Sequence, residues 1–140
     1  MGHFETFDHT ADMGLRVVAD DLVDLFQTAA IGLFDVIVAN RDEVRTLETE
    51  RISLQADSLA DLMVEWLNEL IYRCETRHRL YSSFQVELDE LACTLTATIG
   101  GEPIDRSRHI LDHEVKAATR HGLSLQKEPQ GWVALVIVDI

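Results

Sequence analysis

The sequence offers few residues for cross-links or turns. It has two Cys, Cys74 and Cys93, and no C-x-x-C spacing, so nothing supports zinc or redox chemistry. Both read as buried free thiols, because free Cys packs as a small apolar residue. Two Pro and seven Gly in 140 residues exclude collagen-like and low-complexity chains. Positive charge is also scarce: 12 Lys and Arg stand against 25 Asp and Glu, a net charge of −13. That excess argues against gripping nucleic acid directly, since phosphate binding needs Lys and Arg to replace counterions. It argues equally against docking on an anionic membrane. It suits a chain that meets cations or a basic partner surface. The longest apolar stretch, residues 132–138, is far too short to span a bilayer. The N-terminus has no basic start and no apolar run, so a signal peptide is not expected and the cytoplasm is.

Hydrophobic residues make up 46% of the chain and charged residues 26%, enough apolar material for one core. No repeat, linker or composition break appears, so residues 1–140 read as one domain. The three-and-four spacing of Leu22, Leu25, Phe26, Ala29, Leu33 and Ile37 predicts a helix over 21–39, capped by Asp20 or Asp21 and stopped near Asn40. A second helix is predicted over 58–77. Ser58 caps it, and Leu62, Trp66, Leu70 and Cys74 share its apolar face. Strands are predicted at 3–7 and 15–19, within 43–55, and at 84–88, 91–99, 114–123 and 132–140. Gly100 and Gly101 read as a break, and residues 8–14 as a loop. The last strand is apolar on both faces, which places it centrally in its sheet and buried on both sides. The fold class is α+β, with mostly antiparallel sheet packed with two main helices.

Two short stretches suggest a cation site. In the loop over residues 8–14, Asp8, His9 and Asp12 lie within five positions. Hard divalent cations take oxygen ligands, and Asp holds its carboxylate close to the backbone. By spacing alone, a turn braced by Asx hydrogen bonds is the better account. At the other end of the sequence, Asp139 and Ile140 would set a terminal carboxylate beside a side-chain carboxylate. A divalent cation would relieve that repulsion, although ordinary solvation accounts for such groups as well. A third set comprises Asp105, His109, Asp112, His113, Glu114 and His121. It has no zinc-type spacing and reads as surface or supporting residues, with His121 turned inward as a satisfied core histidine. No nucleophile elbow, phosphate loop or dinucleotide fingerprint is present.

Six segments in order resemble the archease family: FDHTADMGL (7–15), AAIGLFDVI (29–37), LMVEWLNELIY (62–72), GEPIDRSRH (101–109), EVKAATRHGL (114–123) and GWVALVIVDI (131–140). Residues 41–56 carry little of the likeness. The resemblance implies a protein cofactor of the tRNA-splicing RNA ligase RtcB, which joins a phosphate-bearing RNA end to a hydroxyl end using GTP and metal. Such a cofactor promotes guanylylation and multiple turnover of the ligase and does not itself join RNA. The resemblance also implies an acidic metal site formed by Asp12, Asp139 and the carboxylate of Ile140. Asp8, His9, Asp35 and Glu114 are candidates to support it. All-oxygen ligation points to Ca²⁺ first, with Mg²⁺ or Mn²⁺ as alternatives. For these residues to meet, the last strand must end beside the loop over 8–14. The competing readings are a metal-dependent phosphoester hydrolase and a general chaperone or modulator of tRNA-modifying enzymes.

Overall fold

The computed structural model of the chain describes residues 2–8 and 12–140, with Asp8 described by its backbone alone. Along the described residues run β1 (His3–Asp8), β2 (Asp12–Ala19), α1 (Leu22–Ile37), β3 (Glu48–Gln55) and α2 (Leu59–Arg77). Then come β4 (Arg79–Asp89), β5 (Thr94–Pro103), β6 (Ala117–Glu128) and β7 (Gly131–Asp139). One antiparallel sheet has the order β1-β2-β7-β6 and the other β3-β5-β4. The helices lie between them. α1 packs on β1 and β2 on one side and on β4 on the other, while α2 packs on β6 and on the second sheet. This layering explains why α1 is apolar almost all round: 11 of its 16 residues are buried.

Both helices begin where the caps predict. Asp21 accepts the Asp24 N–H at 2.8 Å, and Ser58 accepts the Asp61 N–H at 3.1 Å. The indole N–H of fully buried Trp66 donates to the Phe26 carbonyl at 2.9 Å and ties α2 to α1. α1 ends at Ile37, earlier than expected, because Val38 is extended and bridges to Leu111. Asn40 is not the stop. Its side chain accepts the Ile110 N–H and donates to the Arg108 carbonyl, both at 2.8 Å. α2 ends at His78, whose backbone is left-handed with φ 53°.

Several strand expectations need correction. Residues 91–93 form a turn, in which Asp89 accepts the Ala92 N–H and Cys93 has φ 51°. β5 runs through Gly100 and Gly101 to Pro103. Those glycines mark close approach within the sheet. A Cβ on Gly101 would lie 1.9 Å from the Leu80 carbonyl oxygen, beside the irregular pairing at Tyr81 and Ser83. Gly101→Ala is therefore expected to lower stability by about 3 kcal/mol, read from denaturant melts. Within 43–55 only Glu48–Gln55 is strand, after a short 3₁₀ turn at Arg41–Glu43.

The strand predicted at 114–123 lies at Ala117–Glu128 instead, and its pairing with β7 shifts between Thr119 and Ser124. The irregularity breaks the side-chain alternation, so His121 is exposed and not a core histidine. β7 is interior to its sheet, as its apolar run required. Its inner residues Ala134, Val136 and Val138 are buried. On the outer face Val133 and Leu135 are only half-buried, because the helices cover one side of this sheet alone.

Candidate functional site

The two acidic stretches meet at one end of the first sheet. β2 and β7 pair in a register that sets Asp12 directly opposite Asp139. Directly opposed residues of an antiparallel pair point to the same face. Their neighbours Met13 and Val138 belong to the buried core under the helices, so alternation turns Asp12 and Asp139 to the outer face. Asp139 is exposed, whereas Asp12 is half-buried with one carboxylate oxygen out of contact with solvent. Next along that face lie Gly14 and its partner Ile137, with the Phe7 ring over Gly14. A Cβ at Gly14 would fall 2.0 Å from that ring, so the missing side chain lets Phe7 lie close to the sheet.

The strand end is well anchored. Ala117 of β6 pairs Asp139 from the other side, and the Lys116 N–H donates to the Asp139 carbonyl at 2.8 Å. The half-buried Ile140 packs against the core. On α2, Asn68 clamps β6 one residue on: it accepts the Ala118 N–H at 2.7 Å and donates to the Ala118 carbonyl at 3.0 Å. The expected loop over 8–14 is shorter than its composition implied. Strand pairing continues through Asp8 on one side and resumes at Asp12, and His9 lies outside the described residues.

The other candidates stand at varying remove. Asp35 is exposed on α1 and pairs with Arg41 at 3.5 Å. Glu114 is exposed in the segment that leads to Lys116. That segment is held to the end of α1, where the Asp112 and His113 N–H groups donate to the Ile37 and Val36 carbonyls. Among the described residues no group of three or more His, Cys, Asp or Glu is gathered as a complete cation cage. Asp12 and Asp139 do fit part of one. They are two opposed carboxylates that offer oxygen donors only, and like charges set directly opposite on a sheet are destabilising.

A second acidic residue was not singled out by sequence reasoning. Glu102 of β5 is 2% exposed and is the hub of the segment that follows it. It accepts the Arg45 N–H at 2.8 Å and bonds the guanidinium of Arg108. It also meets Nε2 of the buried His109 at 2.9 Å. Nδ1 of that ring accepts the Asp105 N–H, so the ring hydrogen sits on Nε2 and is donated to Glu102. Burial pushes the Glu102 carboxyl up. The Arg45 amide, His109 and Arg108 together outweigh it and hold the group at about 2. Thus Asp105 and His109 do face one another, in a structural role. The signal available in the sequence was a Glu set between a glycine pair and a proline, the one charged residue of its strand. Cys74 is equally structural: burial first, then Glu75, pushes its thiol up to about 11.

A sequence profile of the Archease protein family matches residues 4–140. The chain belongs to the archease family. The archease of Methanopyrus kandleri is 37% identical over 139 residues, covering 98% of this chain and 99% of that one. The archease of Pyrococcus abyssi is 34% identical over 143 residues, covering all of both chains. The solution structure of a Methanobacterium thermoautotrophicum protein superposes with a TM-score of 0.82, at 32% identity and 98% coverage of each chain. A Thermotoga maritima crystal structure, described as an archease and possible chaperone, shares the fold with a TM-score of 0.59 at 13% identity. It covers 97% of this chain and 96% of that one. Among the described residues no helix of this archease is long and apolar enough to cross a membrane.

Proposed function

We propose that this archease is a non-catalytic activator of an RtcB-type RNA ligase, acting through a divalent cation held at the acidic strand end. The observation that carries the reading is the register that opposes Asp12 and Asp139 on one face of the sheet. Calcium, or magnesium or manganese, prefers six or more oxygens, and two carboxylates supply only part of that set. The resemblance to the family adds the carboxylate of Ile140 to that set. Asp8, His9, Asp35 and Glu114 are the proposed supports, and groups of the ligase or water complete the shell.

An incomplete, rigid and acidic donor set suits an ion shared across an interface. Guanylylation transfers a nucleotidyl group, and charge neutralisation beside the phosphates lowers its barrier. A net charge of −13 favours approach to a basic, RNA-binding cleft and disfavours competition for the RNA itself. The cytoplasm, where tRNA is processed, is the expected setting. A phosphoester hydrolase using the same carboxylates would turn over substrate with metal alone, which an activator would not. A general chaperone role, of the kind ascribed to the Thermotoga protein, would not depend on Asp12 and Asp139.

The test is ligase turnover with GTP, metal and excess RNA ends, at substoichiometric archease. The wild-type chain should raise turnover, and a chain extended past Ile140 should not. Equal stimulation by both would remove the Ile140 carboxylate from the site. No stimulation of a competent ligase would overturn the reading.

A further inference from the structure

The ends of α1 and α2 and the segment 104–115 enclose a groove of about 370 Å³ that the acidic pair does not use. Its floor is apolar, with Ile37, Ile71, Leu80 and Val115 all buried beneath it. Its rim carries the exposed carboxylates Glu75, Asp112 and Glu114 against the guanidinium of Arg106 and the imidazoles of His78 and His113, the latter 3.4 Å from Asp112. Two large apolar side chains stand out at its flanks. Ile110, beside the lining residue Leu111, is 61% exposed, and Tyr72, one helical turn before Glu75 and Thr76, is 60% exposed. An apolar floor within an acidic rim repels phosphates and nucleotides. It also repels a second copy of a chain with charge −13.

One side of the groove leads in sequence to the acidic strand end. Glu114 lines it, and two residues later the Lys116 N–H holds the Asp139 carbonyl. An extended chain advances about 3.3 Å per residue, so a single partner can cover both. The whole segment is positioned by Glu102 and by the Asn40 clamp on residues 108–110.

We propose that this groove is a second contact with the ligase, taking an apolar side chain flanked by Lys or Arg from the ligase surface. The assignment rests on the ligase reading above. It divides the work: the groove supplies affinity, and the acidic strand end supplies activation. An apolar anchor in a pocket inside a charged rim is the usual form of an interface hot spot.

The experiment measures two quantities on full-length protein: the dissociation constant of the complex with the ligase, by calorimetry, and the guanylylation rate at saturating archease. Glu75→Lys combined with Asp112→Lys reverses the exposed rim without touching the core. Cys74→Phe fills the groove from its wall. Each should weaken binding about tenfold or more while leaving the saturated rate unchanged, and the rim variant should also flatten the salt dependence of binding. Asp139→Asn should show the opposite pattern, with binding kept and rate lost. Binding within twofold of wild type for the folded rim variant overturns the groove assignment alone. Failure of the wild-type chain to bind the ligase overturns the ligase reading, and this proposal with it.

Discussion

Glu102→Gln is expected to lower the melting midpoint at pH 7 by about 10 °C and to flatten the acid limb of the stability curve. The carboxyl lies at about 2 in the folded chain against an ordinary value of 4.5. A depressed carboxyl contributes stability that is fully present above its unfolded value. The contribution is lost as pH falls from about 4.5 toward about 2. At 1.36 kcal/mol per unit that difference amounts to about 3 kcal/mol. For a domain of this size 1 kcal/mol moves the midpoint by about 3 °C. Gln keeps the shape and one acceptor, but it removes the buried counter-charge of the Arg108 guanidinium and leaves it only the exposed Asp105 carboxylate at 3.5 Å. Melts of wild type and variant at pH 7, 4.5, 3 and 2 would check this. The two curves should differ most at pH 7 and converge toward pH 2. Parallel curves would mean that the carboxylate is not held by these partners. The loss should also loosen residues 105–116, so amide exchange there should quicken more than in α1 or β7.

That hub illustrates where sequence patterns reach and where they stop. The helices were legible because Leu22, Leu25, Phe26 and Leu33, or Leu62, Trp66 and Leu70, repeat with the helical period and sit behind Asp and Ser caps. The central position of β7 followed from its unbroken apolar run. The resemblance, not periodicity, pointed to Asp12 together with Asp139, and β2 and β7 pair in a register that sets the two positions opposite. Long-range polar contacts leave no periodic trace. Nothing local in the chain connects Glu102 to Arg45, or Asn40 to Ile110, or Asn68 to Ala118. Gly100 and Gly101 look like strand breakers until the Leu80 carbonyl is seen lying where a Cβ would go. Likewise, the irregular pairing of β6 resets which side its residues face, and His121 points out although its spacing pointed in.

Asp139→Asn is expected to abolish ligase stimulation while leaving the fold and the complex intact. Asn keeps the size and one acceptor oxygen of the side chain, replaces the other oxygen with an NH2 donor and removes the charge. Because Asp12 stands directly opposite, metal-free stability should hold or rise by about 0.5 kcal/mol as the like-charge repulsion disappears. Calcium should distinguish the two proteins. Ligand at a hundred times its dissociation constant stabilises the folded state by about 2.7 kcal/mol, a midpoint shift of several degrees for wild type. The Asn variant should show little or none. Asp12→Asn should behave alike, and the double variant should be no worse than either single one, because both residues serve one ion. A variant that loses the calcium shift but still stimulates the ligase would separate the metal from the activation. A variant that keeps both would make the opposed carboxylates a feature of the sheet end alone. Only joint loss, with binding to the ligase retained, ties the strand register to the chemistry.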